Sequence, residues 1–235
     1  MKKFFVFLSL FATTIILSIV ALTVSLFDRK GEVVHRIGRF WATLHLKTCG
    51  IRVILNGVDN IARPPYIFMC NHQSELDIYG LLSMLPLSFK WVAKRQLFYI
   101  PFLGWAMKRA GYISLDRESP REALKAINEA AQKIKDGMSI IIFPEGTRSP
   151  DGTLLPFKKG VFSLPVRAGI PIVPVGINGT RRLQPKGSFL PVEKGVIYIN
   201  IGEPIPTTST NRSAKTDIML TVRAAIERQM GCQAN

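Results

Sequence analysis

Apolar residues run from Phe4 to Phe27 without a charged break, interrupted only by Ser and Thr. As a helix, at about 1.5 Å per residue, this run reaches across a hydrocarbon core of about 30 Å. Lys2 and Lys3 precede it, and Asp28, Arg29 and Lys30 close it. It is longer than the roughly 7–15 residues of a signal-peptide apolar region, and no small-x-small cleavage site follows, so a retained membrane-inserting helix is expected. The basic residues after the run (Arg29, Lys30, Arg36, Arg39, Lys47) outnumber Lys2 and Lys3. The positive-inside tendency therefore leaves the remainder of the chain on the cytoplasmic side of an inner, cytoplasmic membrane. A hairpin or shallow insertion with both ends on that side satisfies the same pattern.

In the next stretch, Val33, Val34, Ile37, Phe40, Trp41 and Leu44 recur at helical spacing, with Arg36, Arg39 and Lys47 largely off that stripe. Two placements suit an amphipathic helix over Glu32–Lys47: on anionic headgroups, or packed on a globular core.

From Ile51 the pattern changes. Short apolar runs predict strands at Ile51–Leu55, Tyr66–Cys70, Phe89–Ala93, Tyr112–Leu115, Ser139–Phe143, Ile172–Ile177 and Val196–Ile201. Helical patterns fall near Glu75–Met84, Pro101–Ala110, Pro120–Lys135, Gly160–Ala168 and Ala214–Gln229, and Pro204–Thr210 reads as a connector. Strands alternating with helices imply a single α/β layered domain with a largely parallel sheet flanked by helices. The expected organisation is a membrane anchor with its amphipathic helix over 1–50, followed by the α/β domain over 51–235. Ligands of such sheets gather where strands end and helices begin.

Composition narrows the classes. Of 235 residues 47% are hydrophobic, and 31 basic against 16 acidic residues give a net charge of +15. That hydrophobicity excludes a disordered chain. Three scattered cysteines exclude a disulfide scaffold and give no metal cage. So basic a chain raises the thought of nucleic acid. The positive mean hydropathy of +0.20 and the N-terminal run instead favour anionic lipid as partner, and no nucleic acid is expected.

The candidate chemistry sits at predicted strand ends. Of the three histidines, His35 and His45 lie in the amphipathic stretch, whereas His72 follows a buried strand in Asn71-His72-Gln73-Ser74-Glu75-Leu76-Asp77. Residues five apart on a helix differ by about 140°, so His72 and Asp77 meet only if His72 lies in the turn before the helix. A carboxylate on one ring nitrogen then fixes the tautomer and leaves the other nitrogen to accept a proton from an alcohol. No GxSxG elbow supplies a protein nucleophile, so the attacking hydroxyl is assigned to the substrate.

A second cluster, Phe143-Pro144-Glu145-Gly146-Thr147-Arg148-Ser149, again follows a strand. Gly146 permits close backbone approach, Thr147 offers a hydroxyl and an amide, and the Arg148 fork suits phosphate. Arg117, beyond the strand of Gly111-Tyr112-Ile113-Ser114-Leu115-Asp116-Arg117, offers a second cation, and Lys158 and Lys159 of Phe157-Lys158-Lys159-Gly160 add charge. Gly169-Ile170-Pro171-Ile172-Val173-Pro174-Val175 reads as a structural strand. Walker A, GxGxxG and HExxH patterns are missing, so nucleotide hydrolysis, dinucleotide redox and zincin chemistry lack their usual supports.

The ordered blocks NHQSELD, GYISLDR, FPEGTRS and GIPIVPV, spanning Asn71 to Val175, resemble the four motif blocks of the glycerolipid acyltransferase family, especially its 1-acylglycerol-3-phosphate acyltransferases. The second block departs from the commoner pattern in carrying Ser114-Leu115 where two bulkier apolar residues are frequent. The resemblance implies His72 as general base oriented by Asp77. It also implies that Glu145, Gly146, Thr147 and Arg148 hold the acceptor's phosphate with Arg117 assisting, and Asn71, Lys158 and Lys159 are auxiliary candidates. The implied reaction converts lysophosphatidic acid to phosphatidic acid, with an acyl-coenzyme A or acyl carrier protein thioester as co-substrate and neither metal nor cofactor. Sibling acceptors (glycerol 3-phosphate, another lysophospholipid, a lyso-ornithine lipid) and a non-catalytic membrane-tethered binding protein are the alternatives.

Overall fold

The computed structural model describes residues 2–116, 119–207 and 212–232. Its centre is a seven-stranded sheet in the order β1-β7-β6-β2-β5-β3-β4. The strands are β1 (Ile51–Asn56), β2 (Ile67–Cys70), β3 (Phe89–Lys94), β4 (Ile113–Leu115), β5 (Ser139–Ile142), β6 (Ile172–Asn178) and β7 (Gly195–Ile201). All neighbours run parallel except β6 and β7. The seven strands and the layered α/β class match the sequence expectation.

The central strands read as continuous apolar runs because both faces of the sheet are covered. Successive side chains point to opposite faces. Phe68 and Cys70 of β2 thus join Phe89, Ile141 and Val175 in one core, while Ile67 and Met69 join Ile140, Ile142 and Ile172 in the other. The first core is roofed by α2 (Glu32–Thr48) and α3 (Leu76–Met84), through Ala42, Leu46, Leu76 and Leu81. The second is roofed by α5 (Pro120–Lys135), α6 (Ser163–Ala168) and α8 (Arg212–Gly231), through Ala126, Ile134, Leu164, Val222 and Ile226. Each fully buried Ile, Leu or Phe contributes about 1.5–3 kcal/mol. Helix α5 begins where its sequence says it should: Ser119 accepts from the Glu122 amide at 3.3 Å and Pro120 occupies the first turn.

Helix α1 (Lys2–Val24) contains the expected apolar run, with Phe4–Val24 long and apolar enough to cross a membrane and only 11% buried. The chain then turns back. Asp28 caps α2 by accepting from the amides of Glu32, Val33 and Val34 at 2.7–3.1 Å. Trp41 of α2 donates to Thr14 of α1 at 3.0 Å, and Ala21 packs with Val34. Helix α2 packs on the globular core through Ala42 and Leu46 and leaves Phe40 exposed on its outer face. His35 and His45 are buried, and burial pushes each down to about 4 and keeps it neutral. The hairpin is locked to the sheet by the buried Lys90, whose ammonium donates to Glu32 at 3.0 Å and to the Lys30 carbonyl at 3.2 Å. Ser88 donates to the other Glu32 oxygen. The short helices α4 (Leu103–Arg109) and α7 (Thr180–Leu183) complete the fold; α7 has no counterpart in the sequence reading because one turn shows no periodicity.

Gly176 marks where β6 meets α8. A Cβ there would lie 2.3–2.6 Å from backbone atoms of Gln229 and Met230. Gly176→Ala is expected to push α8 off the sheet and destabilise the protein by about 1–3 kcal/mol, read as a lower unfolding midpoint in detergent.

Candidate active site

Because β2 pairs with β5, the turns after these two parallel strands lie side by side. His72 follows one and Gly146 the other, although they are far apart in sequence. The turn 71–75 is tied down at nearly every residue. Asn71 exchanges two hydrogen bonds with the Ile177 backbone at 2.6 and 2.9 Å. The His72 amide donates to Glu145 at 2.6 Å, and its carbonyl accepts from the Ser149 amide at 2.8 Å. The Gln73 side chain donates to the Gly152 carbonyl at 3.0 Å, and the Ser74 hydroxyl to the Gln184 carbonyl at 2.8 Å.

Asp77, fully buried in the first turn of α3, faces this loop. Its Oδ2 accepts from His72 Nδ1 at 2.8 Å and from the amides of Gln73 and Ser74 at 2.7 and 2.9 Å. The His–Asp pairing expected from the spacing is present. With Nδ1 donating, Nε2 carries the free lone pair. The imidazole stacks on Phe143 at 3.9 Å and 13° between planes, and Phe143 stacks on Trp91 at 5.7 Å. One side of the ring is therefore dry, while the residue is on the wall of a cavity of about 560 Å3.

The cavity wall is of two kinds. Gly146, Thr147, Arg148, Lys186 and Lys94 line it with His72. Ile78, Leu82, Leu103, Ala106 and Met107 add apolar surface, together with Leu17 and Ala21 of α1 and Ile37 of α2. Gly146 has φ 73°, which its lack of a Cβ accommodates and which turns the chain beneath the cavity. Arg148 pairs with Glu75 at 3.0 Å and remains partly exposed. The arrangement suits a molecule with an anionic head beside a reacting group and an apolar tail.

Several expected ligands have other tasks. Glu145, expected at the phosphate, is buried with one oxygen on the His72 amide and the other on the Leu155 amide at 2.8 Å. It joins the two turns and does not line the cavity. Asn71 is likewise a clamp between β2 and β6. Lys158 and Lys159 are exposed and off the cavity wall, although the Lys158 amide is held by the Pro144 carbonyl at 2.9 Å. Arg117 lies outside the described residues.

Lys186 and Lys94 were missed. Lys186 Nζ reaches the Arg148 carbonyl at 3.0 Å. Its signal was available in position: the loop following β6, a strand parallel to β2, belongs to the same strand-end rim that collects ligands.

The acyltransferase family model matches residues 52–178. A chloroplastic 1-acyl-sn-glycerol-3-phosphate acyltransferase of Brassica napus is 39% identical over 165 residues, 69% of this chain and 47% of that one. The 1-acyl-sn-glycerol-3-phosphate acyltransferase of Saccharomyces cerevisiae is 43% identical over 137 residues, 57% of this chain and 45% of its own. The chain spans about half the length of these curated relatives. It also superposes on the crystal structure of the 1-acyl-sn-glycerophosphate acyltransferase PlsC from Thermotoga maritima, with TM-score 0.78, 26% identity and 100% coverage of both chains.

Burial pushes the Glu145 carboxyl up from 4.5 to about 7, against the lowering influence of its two amide donors. The folded chain therefore holds this proton more tightly than the unfolded chain. Its contribution to stability is complete below about 4.5 and is lost as pH rises through about 7. Glu145→Gln is expected to flatten that part of the stability–pH curve, measured by unfolding in detergent at successive pH values.

Proposed function

The chain belongs to the acyltransferase family, and from that premise we propose that it transfers an acyl group from a thioester to the free hydroxyl of lysophosphatidic acid, yielding phosphatidic acid. The observation that carries this reading is His72, paired with Asp77 behind it, on the wall of a cavity lined both by cations and by apolar side chains. The relatives' names support the same acceptor.

In this mechanism His72 Nε2 removes the proton of the acceptor hydroxyl while Asp77 holds Nδ1–H. The oxygen attacks the thioester carbonyl, the tetrahedral oxyanion collapses, and the C–S bond breaks. The imidazolium returns its proton to the departing thiolate, regenerating neutral His72. Phe143 beneath the ring favours the transient cation through its π face. Arg148 and Lys186 bind the acceptor's phosphate, and the apolar lining takes an acyl chain. Holding both reactants supplies about 7–11 kcal/mol of barrier reduction, against about 10²- to 10⁴-fold from the base, so phosphate binding matters as much as His72.

The donor is acyl-coenzyme A or an acyl carrier protein, reaching the site from the cytoplasm while α1 holds the enzyme in the inner membrane. The +15 charge suits an anionic acceptor, donor and headgroups alike.

Thiol release from palmitoyl-coenzyme A, with and without lysophosphatidic acid in detergent, tests the reading. Acceptor-dependent release is expected, falling by about 10²- to 10⁴-fold in kcat for His72→Ala. Arg148→Ala is expected instead to raise the KM for the acceptor, through loss of about 1.5–3 kcal/mol of charged hydrogen bonding. Equal release from the His72 variant would refute the base. A panel of acceptors preferring one without a phosphate would overturn the choice of lysophosphatidic acid.

A further inference from the structure

Between β3 and the end of α4 the chain has two faces. Leu97, Leu103 and Ala106 face the cavity, and Ile100 lines its edge while 42% exposed. Tyr99, Phe102 and Trp105 stand outward and are 64%, 36% and 51% exposed, with the Phe102 and Trp105 rings 5.4 Å apart. Three aromatics left in water on one short segment are costly unless something covers them.

The backbone holds them there under strain. Phe102 has φ 62° and ψ −60°, and the Leu103 amide donates to the Pro101 carbonyl at 2.7 Å, which closes a γ-turn of the rare positive-φ kind. Such a conformation in a non-glycine residue is unfavourable and persists only where its surroundings impose it. Gly104 is part of that imposition, since a Cβ there would lie 2.4–2.8 Å from the backbone of Leu97 and Phe98.

Two observations identify what covers the patch. The helix that carries it packs on α1: Ala106 of α4 and Ala110 just after it meet Ala21 on the buried side, and α1 exposes Phe7 and Phe11 on its own surface. Exposed cations flank the patch along the chain, Lys94 and Arg95 (the latter paired with Asp116 at 2.8 Å) before it and Lys108 and Arg109 after it. Aromatic residues with a polar edge, flanked by Lys and Arg beside an apolar helix, match the boundary between headgroups and acyl chains of an anionic leaflet.

We propose that Tyr99, Phe102 and Trp105 form a second membrane-contacting element, seated in the same anionic leaflet as α1. The inference rests on α1 being membrane-inserted, and its test separates the two. The full chain carrying Cys49→Ser and Cys232→Ser, with the buried Cys70 left in place, is given one further substitution: Phe11→Cys, Tyr99→Cys, Trp105→Cys or Leu220→Cys. Each is labelled with an environment-sensitive thiol fluorophore and reconstituted in phosphatidylglycerol vesicles whose acyl chains carry bromine. Labels at 99 and 105 are expected to lose emission to the same extent as the label at 11. The label at 220, on the helix covering the other face of the sheet, is expected to keep its emission. Loss at 11 with none at 99 and 105 would overturn the second element and leave α1 inserted; no loss at 11 would remove the premise for both. Loss at all four positions would show that contact is not particular to this face and would equally overturn the proposal.

Discussion

One carboxylate oxygen organises the site. Oδ2 of Asp77 receives the His72 ring and two consecutive loop amides, in the first turn of α3, where unpaired helix amides favour negative charge. The same atom therefore sets the tautomer of the His72 imidazole and the path of the chain that carries it. Hydrogen bonds to a charged acceptor are worth about 1.5–3 kcal/mol each, and losing a buried carboxylate would strand several donors together. What surrounds Asp77 follows from this demand: α3 must start close to the end of β2, and the turn between them must be short.

The second support comes from across the sheet. Glu145 bridges the turn after β5 to the turn after β2, and Ser149 and Gly152 add bonds from the same loop. A parallel sheet puts all such turns on one rim, so adjacent strands can assemble a site from distant segments without a long loop. The antiparallel β7, at its pairing with β6, adds two strands to the side of the sheet away from β5 and leaves that rim intact.

Much of this was legible in the sequence. Runs such as Ile140-Ile141-Ile142 and Ile172-Val173 announce strands buried on both faces, and the five-residue step from His72 to Asp77 demands a turn before a helix. The family resemblance then grouped motifs whose adjacency no local pattern states. What stayed hidden depended on three-dimensional neighbours. Glu145 beside Gly146, Thr147 and Arg148 looks like a ligand because nothing nearby in sequence reveals the His72 amide as its partner. Lys186 looks like an ordinary turn residue until β6 places its loop on the rim. The amphipathic stripe of α2 fitted lipid and protein alike, and its packing on α3 joins segments that no local pattern links. The γ-turn at Phe102 is the least readable, since positive φ is a property of glycine in any rule drawn from composition.

The buried Lys90–Glu32 pair constrains how the N-terminal hairpin and the sheet can move against each other. Swinging the α1–α2 hairpin away from the sheet would leave an ammonium group without its counterion inside the protein, which is strongly unfavourable. Anchor and catalytic body consequently turn as a unit. Under the proposed function, with α1 inserted, a lipid acceptor would be met by lateral diffusion of the whole protein in two dimensions, with His72 held at a constant height above the bilayer midplane. Encounter frequency would then scale with the number of acceptor molecules per unit of membrane area, and dilution of the surrounding water would leave it unchanged.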